Sequence, residues 1–401
     1  MKYDELITSL VQKKGERIVM LVLDGLGGLP DRVGGKTELE AAASPNLDRL
    51  AEKGAVGLID PVAPGITPGS GPGHLGLFGY DPTEFVVGRG VLSALGVDFA
   101  LGPEDLAARM NFCSLGADGK ITDRRAGRIS TEECVRLAGA LGGIKIPGAE
   151  VFVLPEKEHR AAVIFRGPGL EDDLTDSDPQ VTGVPAEAVR ALAPKSERGA
   201  ETANRFIEEA RKILAGEEKA NGILLRGFAR HRPLPTFEKR YGLKGVALAL
   251  YPMYRGLARL VGMDVLDVKG KNSSLFEAVT AHYNEYDLFF LHVKDTDKAG
   301  EDGDYDGKKK AVEHVDRLVT RLDDLPDKVV IVTGDHSTPS QMKAHSHHPV
   351  PFLIQGRLVR PDGVRTFGET ACAGGSLGRF PATQILPLAL ASAGRLKKFG
   401  A

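Results

Sequence analysis

A chain of 401 residues, 42% hydrophobic and 26% charged, has the composition of a globular protein and more length than one core usually serves. Its formal net charge of −2 excludes a general electrostatic attraction to nucleic acid or to an anionic membrane, so any anion site must be a local cluster. Cys113, Cys134 and Cys372 are odd in number and widely spaced, which argues against a disulfide framework and against a zinc knuckle.

The N-terminal MKYDELITSLVQKKGER has the pattern of an amphipathic helix without the apolar core of a signal sequence, and a cytoplasmic protein is expected. Arg17 to Leu23 is a continuous apolar run, too short to span a bilayer and suited to a buried parallel strand. It ends in Asp24-Gly25-Leu26-Gly27-Gly28, and a carboxylate at a strand's C-terminal end is where open α/β sheets place their sites. A turn-capping role for Asp24 fits equally well. Ser44-Pro45 opens a helix that runs to about Lys53, and Ala55 to Ile59 is a strand. The stretch Pro61 to Pro82 follows, centred on Thr67-Pro68-Gly69-Ser70-Gly71. Its prolines and glycines predict a tight turn with backbone N–H groups facing outward, then a helix from about Pro72 to Phe78. Ser70 would then stand at or near a helix N-terminus, which suits a phosphate; helix capping is the plainer role for a lone serine there.

The pattern changes near Leu95. Strands are expected at Ala108–Ser114, Ala161–Arg166 and Asn221–Arg226, and helices at Thr131–Leu141 and Glu197–Ala215. Three basic loops mark this part: one with Arg124, Arg125 and Arg128, one with His159 and Arg160, and one beginning at Arg226. One basic loop is usually a solvated surface. Three in a nearly neutral chain suggest an anion clamp, for which the planar guanidinium fork is suited. From Tyr241 strand and helix alternate again, with strands at Gly245–Leu250, Asp264–Val268, Asp287–Val293, Lys328–Thr333 and Pro351–Gln355. The expected architecture is α/β: a mainly parallel sheet with helices on both faces, built from 1–95 and 236–401, interrupted by an α+β domain over 96–235.

Two of these strands run into groups that bind metals. One leads to Asp295, Asp297 and Glu301, the other to Asp335 and His336, with His345 nine residues further on. Six of the ten histidines lie between His292 and His348, so the imidazoles are concentrated where the carboxylates are. Such a mixed set suits Mn²⁺, Zn²⁺ or Co²⁺. With Asp24 and Ser70 it predicts a two-metal site at which a serine alkoxide attacks phosphorus.

The order Asp24, TPGS, GYDP, HVK-D-x-D-x-AG, GDHSTP and H-S-x-x-PVP resembles the alkaline phosphatase superfamily, and more closely the cofactor-independent phosphoglycerate mutases in their shorter, archaeal-type form. The likeness extends through DRRAGR, EHR, RGF and FEKRYGLKG, and so over nearly the whole chain. It implies an alkaline-phosphatase-like sheet and the interconversion of 3- and 2-phosphoglycerate in glycolysis and gluconeogenesis. The route would be a phosphoserine intermediate, without 2,3-bisphosphoglycerate. Ser70 would be the nucleophile and touch one metal, whose other ligands would be Asp24, Asp335 and His336. Asp297 and His345 would hold the second metal, with Glu301 where the family pattern has histidine. Glutamate is the harder ligand and tilts the pair of metals toward Mn²⁺ or Mg²⁺ over Zn²⁺, with Co²⁺ a further alternative. His347 and Asp295 are weaker alternatives as ligands. Gly71 departs from the pattern too, since relatives usually carry aspartate after the serine. Arg255 falls where the family tends to place an active-site lysine. Arg124, Arg125, Arg128, Arg160 and Arg226 would bind the substrate's carboxylate and phosphate, and His159 would serve its hydroxyls as acid and base. The substrate would be held between the domains behind an interface that excludes water. A phosphomonoesterase or another phosphosugar mutase is the first alternative. A degenerate phosphoglycerate-binding protein, suggested by Glu301 and Gly71, is the second. Neither a nucleic-acid nor a membrane partner is expected, and oligomeric state has no signal in the sequence.

Overall fold

The computed structural model describes residues 3–30 and 35–400. Its strands are β1 (Arg17–Leu23), β2 (Ala55–Asp60), β3 (Asp105–Leu115), β4 (Ile121–Asp123), β5 (Glu150–Pro155), β6 (Arg160–Arg166), β7 (Gly222–Arg230), β8 (Gly245–Ala249), β9 (Asp264–Val265), β10 (Leu288–Val293), β11 (Lys328–Thr333), β12 (Val350–Gln355) and β13 (Arg379–Pro381). They form two compact units. One comprises Met1–Val86, Leu234–Tyr251 and Val261–Ala401, the other Val87–Pro233 and Pro252–Leu260.

The first unit is α/β. Its eight-stranded sheet has the order β13-β2-β12-β11-β1-β10-β8-β9. Every pairing is parallel except those of β12, which runs antiparallel to both β11 and β2. The apolar runs of β1 and β10 are the sheet's middle, and all but the first residue of β1 are buried. Register then sets the position of the polar residues that follow. Leu23 pairs with Val293, and Val22 with Thr333. The chain therefore leaves the neighbouring strands β11, β1 and β10 at one sheet edge, carrying Asp335 and His336, Asp24 and Lys294 respectively. The segment after β10 is a helix, Asp295–Asp302, that the polar sequence DTDKAGED does not announce. It stops at Gly303, whose φ of 76° is the left-handed conformation glycine accepts at a helix end.

The second unit is an antiparallel sheet with β3 at its centre, flanked by β6 and β7; β5 pairs with β6, and β4 with the end of β3. The helix Glu197–Leu214 buries Ala200, Ala203, Phe206, Ala210 and Leu214, a stripe at helical spacing that joins Phe112 and Phe165 in this unit's core. The contact pattern assigns two helices, Arg89–Gly96 and Pro252–Leu260, differently from the boundaries expected at 95/96 and 235/236. The reason is glycine. A Cβ on Gly256 would meet Leu92 O at 2.2 Å, one on Gly96 would meet Pro252 O at 2.4 Å, and one on Gly90 would meet Ala107 O at 2.2 Å. The two helices thus touch backbone to backbone, and the first of them, Arg89–Gly96, rests on β3 in the same way. All three cysteines are free and buried. Among the described residues no helix is long and apolar enough to cross a membrane.

Candidate functional site

In the first unit Gly69 holds the N-cap position and Ser70 opens the helix Ser70–Leu77, two residues earlier than the expected start at Pro72. Ser70 is therefore not the cap. One turn of this helix lies directly on the chain at Asp335: a Cβ on Gly73 would meet Asp335 O at 2.2 Å. That approach sets Ser70 Oγ 3.4 Å from His336 Nε2. His74, a turn further on, donates from Nδ1 to Ser70 O at 2.8 Å and stands 3.1 Å from Asp335 Oδ2.

His336 Nε2 faces three oxygens. Asp24 Oδ1 and Asp335 Oδ2 are each 3.3 Å away, and Ser70 Oγ completes the set. The ring's other nitrogen, Nδ1, is 2.9 Å from Thr338 Oγ1, and that hydroxyl has its own proton committed to Asp297 Oδ1 at 2.7 Å. Thr338 must therefore accept, His336 Nδ1 must donate, and the neutral ring presents a lone pair at Nε2 to three oxygen acceptors. A lone pair aimed at carboxylates is unfavourable without a cation at their centre. This is the donor set of a metal site, and the residues fit one. Left to themselves they take up a proton: burial opposes it, but Asp335, Asp24 and Asp297 outweigh that and raise His336 to about 9. Asp24 is fully buried, and burial alone would raise it. Lys294, His292 and His336 hold it well below the usual carboxylate range.

A second group adjoins the first. Asp297, His336 and His345 offer ligand atoms within 4.8 Å of one another, as do Asp24, Asp335 and His336. His345 donates from Nδ1 to Pro68 O at 2.9 Å, which frees its Nε2, 3.6 Å from Asp297 Oδ1. The imidazoles of His336 and His345 stack at 3.6 Å. Glu301, a helical turn after Asp297, brings Oε1 to 4.0 Å from His345 Nε2 with half its side chain exposed. His347 is exposed and stacks on His348, and Asp295 accepts from Asn272 Nδ2 at 2.8 Å, so neither alternative ligand joins either group.

Two contributors here carry no metal-ligand signature in the sequence. Lys294 Nζ reaches Asp297 Oδ2 at 2.6 Å and Asp24 Oδ2 at 3.1 Å, joining a carboxylate of each group. His292, buried in β10, donates from Nε2 to Asp24 Oδ2 at 3.0 Å. Both stand in the stretch HVK ahead of Asp295, but an alternating strand end reads as packing until register sets it beside β1.

The second unit gathers the arginines. Asp123 accepts from the backbone N–H groups of Arg125 and Gly127, each at 2.7 Å, and curls the DRRAGR loop. Ala126, Gly127 and Arg128 all take positive φ, which costs energy at the two non-glycine positions. Arg124 is bound by both oxygens of Asp178, at 2.8 and 2.6 Å. Arg226 on β7 is paired in register with Arg109 on β3, and Asn111 with Arg160 on β6. Like charges directly opposite in a sheet repel, and here the Nε atoms of both Arg109 and Arg226 are buried without a hydrogen-bond partner. Burial, Arg109 and Arg89 lower Arg226 to about 9. Burial and the charges of Arg160, Arg109, Arg125 and Arg128 push His159 down to about 3, which keeps the imidazole neutral. Arg109 was missed because an arginine inside the apolar strand ARMNFC carries no motif; its strand partner gives it meaning. Arg255 lies on the Pro252–Leu260 helix with its guanidinium 3.5 Å from Asp98.

With this geometry in view, residues 51–220 match the family model described as 2,3-bisphosphoglycerate-independent phosphoglycerate mutase. A Thermus thermophilus protein named "Probable 2,3-bisphosphoglycerate-independent phosphoglycerate mutase" is 48% identical over 400 residues, covering 98% of each chain. An Aquifex aeolicus protein of the same name is 47% identical and covers 99% of this chain and 100% of its own. Among solved structures, a protein from Pyrococcus horikoshii is 30% identical with a TM-score of 0.84 over 96% of this chain and all of its own. The cofactor-independent phosphoglycerate mutase from Thermoplasma acidophilum is 32% identical with a TM-score of 0.68, covering 94% and 100%.

Proposed function

This chain belongs to the 2,3-bisphosphoglycerate-independent phosphoglycerate mutase family, and on that premise we propose that it interconverts 3-phosphoglycerate and 2-phosphoglycerate through a phosphoserine at Ser70. The observation that carries the reading is Ser70 Oγ 3.4 Å from Nε2 of His336, in one cluster with Asp24 and Asp335. Asp24, Asp335, His336 and Ser70 would hold one divalent metal, and Asp297, His345 and Glu301 a second, with Mn²⁺ the preferred ion for so oxygen-rich a set. Bound there, the ions supply Lewis-acid charge that acidifies the serine hydroxyl and offsets phosphoryl charge.

The residues of the chain do the rest. Ser70 Oγ attacks phosphorus, the bond to the glycerate oxygen breaks, and the other glycerate hydroxyl later takes the phosphoryl group back from the serine. The positive end of the Ser70–Leu77 helix favours the dianion on Ser70. Lys294 holds Asp24 and Asp297 in position. In the second unit Arg226, Arg109, Arg125, Arg128 and Arg160 bind the carboxylate and phosphate of phosphoglycerate, and Arg124, braced by Asp178, supports them. His159 is neutral beside these arginines, and once the substrate's anionic groups offset the arginine charges that depress it, it would serve to accept a proton from a glycerate hydroxyl and return it. Arg255 assists by charge. The setting is a cytoplasmic step of glycolysis and gluconeogenesis, with no 2,3-bisphosphoglycerate required.

The test is product analysis on metal-stripped protein with each divalent ion added back, paired with a brief quench and mapping of the phosphate by mass spectrometry. 2-Phosphoglycerate from 3-phosphoglycerate and phosphate on Ser70 are expected, and Ser70→Ala should keep its metal and lose all transfer. Inorganic phosphate as the main product would make the protein a phosphomonoesterase. Substrate binding without turnover on any metal would make it a binding protein.

A further inference from the structure

Lys308 is fully buried, an unusual position for an ammonium group, and nothing in the reaction above uses it. It stands on the helix Tyr305–Val319. Its Nζ donates to Gly27 O and to Thr338 O, each at 2.9 Å. Those two carbonyls belong to the two loops that carry the first ligand group: Gly27 follows Asp24, and Thr338 follows His336 and accepts a hydrogen bond from its Nδ1. The loops also bond directly, Thr338 N donating to Gly27 O at 2.9 Å. The helix bearing Asp297 joins at the same point, since a Cβ on Gly300 would meet Thr338 O at 2.3 Å.

Two glutamates surround this knot, Glu38 fully buried and Glu369 half-buried. Glu38 Oε2 is 4.0 Å from Lys308 Nζ, while Glu38 Oε1 accepts from Ser340 N at 2.7 Å. Glu369 accepts from Gly28 N at 2.8 Å and from Thr37 Oγ1 at 2.7 Å. Two carbonyl oxygens and a carboxylate make the shell of a bound cation, and here the cation is a side chain of the protein.

We infer that Lys308 is a positioning residue: a tethered cation that locks the Asp24–Gly28 and Asp335–Ser340 loops at the spacing their metal needs. The inference rests on the metal reading of the cluster. Without the ammonium, Thr338 O loses its partner, Glu38 is left with an uncompensated buried charge, and the loops can separate while the sheet beneath them stays. Supporting groups of this kind change metal affinity by roughly 10- to 100-fold.

The experiment measures Mn²⁺ binding to metal-stripped protein by electron paramagnetic resonance, with thermal unfolding in parallel, for the parent, Lys308→Met and the double variant Lys308→Met/Glu38→Gln. The double variant removes both buried charges and guards against a single variant that fails to fold. Lys308→Met should lose roughly 10- to 100-fold in Mn²⁺ affinity. The double variant should recover melting temperature without recovering affinity. Affinity equal to the parent's in Lys308→Met, or restored in the double variant, would overturn the inference. A parent that binds no divalent ion would overturn the metal reading, and the inference with it.

Discussion

The Thr338 hydroxyl accepts a hydrogen bond from His336 Nδ1 at 2.9 Å and donates its own to Asp297 Oδ1 at 2.7 Å. One side chain thereby fixes the imidazole tautomer in the first ligand group and orients a carboxylate in the second. A first prediction follows from its chemistry. Thr338→Val keeps the shape and removes both hydrogen bonds, freeing the ring to carry its proton on Nε2, where no metal can then bind. Metal affinity should fall about 10- to 100-fold, and mutase activity at limiting metal with it. Thr338→Ser should stay near the parent. A metal titration followed by calorimetry decides it, and an unchanged valine variant would remove Thr338 from the account.

The arginine pair yields a second. Arg226→Ala and Arg109→Ala should each raise KM for phosphoglycerate by an amount equivalent to roughly 1.5–3 kcal/mol of charge-assisted hydrogen bonding. Neither should lower the melting temperature of the ligand-free protein much, because each removes one of two cations opposed in register across β3 and β7. Initial-rate kinetics alongside thermal unfolding separate the two effects. Substrate binding equal to the parent's in both variants would leave these arginines, whose Nε atoms are buried, without a role in binding.

The parts of this site that were readable from sequence share one cause. Asp24 follows directly on an apolar run, and Asp335 and His336 follow another after one glycine, so reading β1 and β11 as strands put these candidate ligands at their ends. The parallel alternation placed those ends together. What was not readable depends on pairing between distant segments. Arg109 gains a role only through its register with Arg226, and Lys308 only where its helix meets two loops. The unit boundary shows the same limit. Nothing in the sequence tells which backbones Gly90, Gly96 and Gly256 touch.

His159 gives a pH dependence whose sign can be worked out. Burial and the charges of Arg160, Arg109, Arg125 and Arg128 depress it to about 3, with Glu158 the nearest carboxylate at 4.0 Å from Nδ1. An unfolded histidine has its ordinary value of about 6.5. Between those values the unfolded chain binds more protons than the folded one, so stability rises with pH through this window and is complete above it. As pH falls from 7 to 5 this residue should cost the fold on the order of 2 kcal/mol. His159→Gln cannot titrate and should lose correspondingly less over the same interval. Urea unfolding of both proteins at pH 7 and pH 5, at fixed ionic strength, reads the difference directly; parallel losses would show that His159 keeps its ordinary proton affinity in the fold.

Glu301 gives the last. It is on the same face of the Asp295–Asp302 helix as Asp297, four residues on, and its Oε1 is 4.0 Å from His345 Nε2. Its side chain is 53% exposed, whereas that of Asp297 is fully buried and anchored by Lys294 and Thr338. A half-solvated carboxylate can move onto an ion or leave it at small cost, whereas a buried, anchored one cannot. Glu301→Ala should therefore weaken the second ion by less than Asp297→Ala does. Glu301→His exchanges a hard oxygen donor for an imidazole and should move selectivity from Mn²⁺ toward Zn²⁺ and Co²⁺. Competition between Mn²⁺ and Zn²⁺, read from the Mn²⁺ resonance of the parent and both Glu301 variants, checks each part. If the histidine variant holds the parent's preference, Glu301 is not a ligand, and the second ion rests on Asp297 and His345 with solvent in the remaining positions.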